Sequence, residues 1–271
     1  HLLLTAADGL NQCQREVAYG EAYPGVRKID LNDIRDALSK GVDDFLAMPT
    51  QLLFLGIIYP LVGVVAARWA YGADLRPLLY PMIAGLTLMG PVAAIGIYEL
   101  SRRREQGKPV SWLNAFDVLK SPAIGSIMVL AVGLAALFVA WLAAASAIYE
   151  ATLGASMAAP EEGFLYRVFN TAEGWQMIFL GNLVGFLFAV VVLATSVVSF
   201  PLLLDRDVGP VAAVKTSLRA VMANPVPMAA WGLVVAVSIA VGSVPFFVGL
   251  AVVMPILGHA TWHLYRRVIV N

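Results

Sequence analysis

Residues 220–265 read AVMANPVPMAAWGLVVAVSIAVGSVPFFVGLAVVMPILGHATWHLY, 46 positions between Arg219 and Arg266 without one Asp, Glu, Lys or Arg. A membrane crossing takes about 20 apolar residues to cover roughly 30 Å of hydrocarbon. The window is therefore long enough for two crossings. Gly242, Ser243, Val244 and Pro245 divide it, supplying turn residues and a proline able to open the next helix. Four shorter charge-free windows precede it: 23 residues between Asp44 and Arg68, 22 between Arg76 and Glu99, 29 between Lys120 and Glu150, and 31 between Glu173 and Asp205. The windows predict six spans, near 51–70, 77–99, 123–149, 174–200, 226–242 and 246–265.

Lipid leaves backbone groups without water, so spans must be helices or closed barrels. These runs are too long and unalternating for barrel strands. The expected fold class is all-α: a polytopic bundle of six transmembrane helices built as three hairpins, with short amphipathic cytoplasmic helices. It divides into an N-terminal arm, residues 1–30, and a membrane domain, residues 31–271. Pro60, Pro81, Pro91 and Pro255 fall inside spans and predict kinks.

Composition agrees. Of 271 residues, 60% are hydrophobic and 13% charged, about half the charge of a soluble domain. Eighteen cations balance 18 acids, so the basic excess of a nucleic-acid binder is missing. The single cysteine, Cys13, permits no internal disulfide. Residues 1–20 carry only a short Leu2–Leu4 run without a basic flank, so no signal peptide is expected. With the N-terminus inside, 15 of the 18 cations lie on the cytoplasmic side, leaving Arg68, Arg76 and Arg167 outside. The positive-inside rule thus puts both termini in the cytoplasm, and the expected location is a bacterial inner membrane.

The cytoplasmic segments repeat a pattern of amphipathic helix, proline, then hairpin. Ile34, Leu38, Val42 and Phe45 precede Pro49; Trp112, Phe116 and Leu119 precede Pro122; Val214, Leu218 and Val221 precede Pro225. The hairpin exits also align: PVAAIGIYELSRR from Pro91 with PILGHATWHLYRR from Pro255, and more weakly ATSVVSFPLLLDR from Ala194. This spacing predicts three diverged copies of one unit. Arg102, Arg103, Arg104, Lys215, Arg219, Arg266 and Arg267 are candidate lipid-headgroup contacts.

The span centres hold few polar residues: Asn182, Thr195, Ser196, Ser199, Ser238, His259 and His263. Gly181, Asn182 and Gly185 form a small-residue seam suited to helix docking, within the bundle or with another subunit. His259 and His263 share one helix face. Glu99, at the position of His263 in the aligned exit, is the third member of a candidate metal cluster, with satisfied interfacial histidines as the plainer reading. Two histidines on one face cannot be opposite axial ligands of one haem. Phosphate-loop, zincin, nucleophile-elbow and paired-cysteine motifs do not occur, so neither catalytic residues nor a bound cofactor is expected. Phe54, Phe138, Phe179, Phe186 and Phe188 can contact lipid, quinone or carotenoid, with core packing as the plainer use.

VSFPLLLDRDVGP, GHATWHLYRR and GPVAAIGIYELSRRREQG, at 198–210, 258–267 and 90–107, resemble an uncharacterised bacterial family of six-helix integral membrane proteins, a domain-of-unknown-function family. The resemblance spans about residues 30–269. Members are often labelled as similar to subunit I of cytochrome c oxidase. That subunit needs ligand histidines on several helices, whereas here the two membrane-level histidines share one. The resemblance therefore implies topology and no catalytic residue. The expected role is a non-catalytic accessory or scaffold subunit of a larger energy-transducing complex, respiratory or photosynthetic reaction-centre–antenna, with the bilayer and other membrane subunits as partners. The alternatives are a small-solute transporter or channel, and a metal- or haem-binding membrane protein.

Overall fold

The computed structural model describes residues 24–48, 63, 68, 78–154, 164–244 and 249–270. Among these it is helical, with no β-strand beyond one bridging pair. The helices are α1 (Leu31–Ala47), α2 (Leu79–Leu88), α3 (Gly90–Ala93), α4 (Ile95–Glu105), α5 (Ile124–Ala151), α6 (Phe164–Asn170), α7 (Ala172–Ser196), α8 (Ser199–Asp205), α9 (Pro210–Ala223), α10 (Pro225–Ser243) and α11 (Leu250–Val268). A 3₁₀ segment, Trp112–Lys120, precedes α5.

Three stretches among the described residues are long and apolar enough to cross a membrane: Ile124–Ala151, Ala172–Asp205 and Pro225–Ser243. Their large side chains point outward. Met128, Val129 and Val132 on α5, Phe179, Leu183 and Phe186 on α7, and Leu233 and Val237 on α10 are all exposed. An apolar outer surface is what lipid requires. The expected span 51–70 lies outside the described residues apart from Gly63 and Arg68, and 246–265 begins in a stretch that is also outside.

Two expected spans are interrupted instead of continuous. The 77–99 stretch breaks at Met89 and Ala94 into α2, α3 and α4. Pro91 explains the first break: it lacks an N–H and its ring crowds the carbonyl four residues back. Likewise α7 ends at Ser196 and α8 begins at Ser199, five and two residues before Pro201, which lacks an N–H for the ladder. Pro255, by contrast, sits inside a continuous α11.

Capping groups start the lead-in segments. Asp30 Oδ1 accepts from Asn32 N at 2.8 Å and Asp33 N at 3.1 Å, and Asp33 Oδ2 accepts from Asp30 N at 3.0 Å, closing a reciprocal box at α1. Gly209, at φ +79°, turns the chain into α9, which opens on Pro210.

The three lead-in segments pack in a ring. The 3₁₀ segment lies on α4, α9 lies on α8, and α1 lies on α11, closing the last unit with the first. The exits α4, α8 and α11 also touch one another. In the aligned exits the sixth residues are Gly96, Ser199 and Ala260, all small. Each exit meets a small residue seven or eight positions before Pro49, Pro122 or Pro225. A Cβ on Gly41 would stand 2.7 Å from Ala260 N, and one on Gly96 would stand 3.0 Å from Ala115 Cβ. At the third junction Val198 N–H donates to Ser217 Oγ at 3.2 Å. The tenth residues, Leu100, Leu203 and Leu264, are all buried.

The ring divides the apolar residues of the lead-in segments between an inner and an outer face. In α1 the buried residues are Ile34, Ala37, Gly41, Asp44 and Phe45, while Val42 is exposed. In the 3₁₀ segment Trp112, Phe116 and Leu119 are exposed and Val118 is buried. In α9 the buried residues are Ala213, Thr216, Ser217 and Ala220, and Leu218 is exposed. Close backbone approach selects small residues for the inside. The large apolar residues are left on the outside, as suits segments lying along a membrane surface.

The chain ends are stitched to the same ring. Val26 bridges Ile269 antiparallel, Arg27 N–H donates to Val268 O at 2.7 Å, and Val270 N–H donates to Gly25 O at 3.0 Å. Buried Asn224, between α9 and α10, ties this strap down. Its Oδ1 accepts from Ile29 N at 2.8 Å, and its Nδ2 donates to Arg27 O and Ala220 O, each at 3.0 Å. Asn224→Ala is expected to lower stability by about 2 kcal/mol, because buried backbone groups lose their partners. Thermal unfolding of the detergent-solubilised variant checks this.

Candidate functional site

Polar chemistry gathers where α1, α4 and α11 converge. Asp44, five residues before Pro49, enters from α1 and is buried. Its Oδ2 accepts from His263 Nε2 at 2.8 Å and Ser101 Oγ at 2.6 Å, and its Oδ1 accepts from Arg104 Nη1 at 2.6 Å. Ser101 Oγ also lies 2.5 Å from His259 Nδ1. A serine has one hydroxyl proton. With that proton given to Asp44, His259 Nδ1 must carry the hydrogen of the second contact.

The network is thus a chain of donors converging on one carboxylate. Burial on its own pushes the Asp44 carboxyl upward. The hydrogen bonds from His263 and Ser101, together with the charge of the two histidines, outweigh it and hold the group below the usual carboxylate range. Ser101 gives its proton to the carboxylate, not to the imidazole, the reverse of a hydroxyl activated as a nucleophile.

Glu99 does not join the histidines. Its buried carboxylate turns to the next edge of α4, with Oε2 2.8 Å from Arg102 Nη2 and Oε1 3.9 Å from Arg103 Nη1. The residue that completes the histidine pair is Asp44. Among the described residues no group of three His, Cys, Asp or Glu is arranged to hold a metal ion. Asp44 had a discoverable signal: Asp117 occupies the same place, five residues before Pro122, and pairs with Arg103 at 3.1 Å. The third unit carries Ala220 there, and its junction holds buried Ser217 and Thr216 in place of a carboxylate.

Most of the basic residues assigned to headgroups are engaged within the protein. Arg104 binds Asp44, Arg103 binds Asp117, and Arg102 Nη1 donates to Leu204 O at 2.9 Å. Arg266 reaches Glu105 at 3.0 Å and Asp205 at 3.4 Å, and Arg267 reaches Asp36 at 2.7 Å and Asp33 at 3.3 Å. Tyr265 OH donates to Asp205 Oδ2 at 2.6 Å, and Trp262 Nε1 donates to Glu105 Oε2 at 3.1 Å. Lys215 and Arg219 stay exposed on α9.

Among the described residues, several polar side chains of α7 and α10 bond carbonyls of their own helices. Asn182 Nδ2 donates to Ile178 O, Thr195 Oγ1 to Val191 O, Ser196 Oγ to Val192 O and Ser243 Oγ to Ile239 O. The Gly181–Gly185 seam is split. A Cβ on Gly185 would lie 3.1 Å from Trp141, an α5–α7 contact, whereas one on Gly181 would meet nothing within 4 Å. Phe188 packs edge-on to Trp141 at 5.8 Å, and Phe138 lies against Gly85, so these two are packing residues. Phe179 and Phe186 face outward, and Phe54 lies outside the described residues.

Residues 79–205, just under half of the chain, match the model of a family described as "Predicted integral membrane protein (DUF2189)". This is a domain-of-unknown-function membrane family, in line with the resemblance carried by the exit motifs; the label of cytochrome c oxidase subunit I finds no support in the match. No curated protein and no solved structure matches the chain.

Proposed function

We propose that the protein is a non-catalytic accessory or scaffold subunit of a larger energy-transducing complex in a bacterial inner membrane. The complex is respiratory or a photosynthetic reaction-centre–antenna core. The chain crosses six times, with both termini and the charged ring in the cytoplasm. The observation that carries this reading is the satisfaction of span hydroxyls and amides by their own helices. A transport path or intramembrane reaction centre needs polar groups aimed at a cavity. Here those groups are spent locally, and what faces outward from α5, α7 and α10 is apolar surface.

A test compares native-gel profiles of membranes from cells with and without the gene. The expected result is one energy-transducing complex shifted to lower mass or lost without it. Unchanged profiles for every such complex contradict the role. One observation favours the second reading, a small-solute transporter: the α2–α3–α4 interruption resembles the broken helices of transporters. Solute flux through proteoliposomes containing only this protein would support that reading over the first.

A further inference from the structure

A cleft of about 380 Å³ lies between α4, the 3₁₀ segment, the start of α5 and α8. At about 30 Å³ per water it has room for about a dozen waters, hence for a phosphate with a short amine arm. Arg102, Arg103, Lys120 and Arg206 line it, matched by four carboxylates. Three of those carboxylates are paired: Glu99 with Arg102, in an ion pair whose buried Oε2 makes no hydrogen bond, Asp117 with Arg103 and Lys120, and Asp205 with Tyr265 and Arg266. The fourth, Asp207, is exposed and has no partner among the described residues.

Two donors are also unmet. Arg102 Nε and Arg103 Nε are buried, and among the described residues neither has a hydrogen-bond partner. Ser121, Pro122 and Ala123 bring the N-terminus of the 28-residue α5 to the same cleft. The positive end of that long helix adds to the anion-attracting side.

The cleft lies at the N-terminal end of α5, a helix long and apolar enough to cross a membrane. One turn into α5, Met128 and Val129 are exposed and apolar. The 3₁₀ segment turns Leu113, Phe116 and Leu119 outward, while its Asp117 lines the cleft. A ligand here has acyl-compatible surface beside it and paired charge in front of it. Free phosphate would meet as many carboxylates as cations.

We propose that this cleft holds the headgroup of a zwitterionic aminophospholipid, with the phosphate against Arg102 and Arg103 and the ammonium on Asp207. A primary ammonium donates hydrogen bonds to a carboxylate. A trimethylammonium cannot, and a glycerol headgroup brings no positive charge. The assignment rests on membrane placement and not on the accessory-subunit role, so either can fail alone.

Native mass spectrometry of the full chain in a delipidating detergent tests it. Dioleoyl phosphatidylethanolamine, phosphatidylcholine, phosphatidylglycerol and inorganic phosphate are added separately. The expected result is one phosphatidylethanolamine retained at least ~5-fold over phosphatidylglycerol, with no displacement by phosphate. Asp207→Asn, at an exposed residue the fold does not use, is expected to bring that preference near one. Arg102→Gln with Arg103→Gln is expected to cut total phospholipid retention by about tenfold. Equal retention of the three lipids by the wild type, an unchanged preference in Asp207→Asn, or displacement by phosphate overturns the proposal.

Discussion

Asp44→Ala is expected to lower stability by about 3 kcal/mol, the cost of removing one partner from a buried charge network. At about 2–4 °C per kcal/mol for a chain of this size, the melting temperature falls by about 10 °C. The substitution leaves His263, Ser101 and Arg104 without the carboxylate on which they converge. The loss sits at the low end of the buried-pair range because Arg104 is partly exposed and can return to water. The effect carries a pH signature. The Asp44 carboxyl lies below the ordinary carboxylate range in the folded protein. Its stabilisation is therefore complete above the unfolded value of about 3.9, and it is lost as pH falls through the lower folded value. Melting of wild type and variant should converge as pH falls below about 4, where the carboxyl takes up its proton. A constant difference persisting down to strongly acidic pH would contradict the assignment of the loss to the ionised carboxylate.

Gly41→Leu is the second large effect. A Cβ at Gly41 would lie 2.7 Å from Ala260 N and 2.8 Å from both Ala260 Cβ and Ile256 O. Two of those atoms belong to a helix backbone and cannot swing aside. The longer side chain must push α1 off α11, at a cost of about 3 kcal/mol. Hydrogen exchange should rise over residues 31–47 and stay unchanged in α5 and α10. Gly181→Leu is the matched control: nothing stands within 4 Å of its added Cβ, so the stability of the isolated protein should change by less than about 0.5 kcal/mol. If Gly41→Leu and Gly181→Leu behave alike, α1 does not close the ring.

Both predictions rest on residues that the sequence displayed unevenly. The spans of α5, α7 and α10 were legible because lipid solvation forbids charge over a fixed length, and that is a one-dimensional signal. The repeated exits were legible too, because Leu100, Leu203 and Leu264 share one register. The break near Pro91 was only half legible, and the one before Pro201 was not expected. A proline marks where a ladder bond is missing, but neighbouring groups decide whether the helix parts, as it does near Pro91, or continues, as it does at Pro255. The lead-in segments were legible as amphipathic, but not which of their residues meet the exits. In the fold, small residues face inward, since close backbone approach at Gly41, Ala115 and Ser217 outweighs burying one more large side chain. The partner of the histidines was misassigned for a related reason. Aligning exits with exits placed Glu99 beside His263, but the ring sets each exit against the lead-in of another unit. That contact delivers Asp44.

The repeated ring also bears on function. It engages several cations in internal ion pairs, with Arg104, Arg266 and Arg267 all bound to carboxylates of other elements. The apolar outer surface of the described spans, α7 above all, where Phe179, Leu183 and Phe186 face outward, is a surface that a partner can cover. The accessory-subunit proposal therefore places the partner within the membrane plane.

Purification of the native protein in a mild detergent, with the intact particle weighed and its polypeptides identified by mass spectrometry, tests that proposal most directly. The account predicts a particle well above the 29.0 kDa of the chain, containing subunits of one energy-transducing complex at fixed stoichiometry. A particle containing this polypeptide alone with lipid and detergent, and no stoichiometric partner, would contradict it.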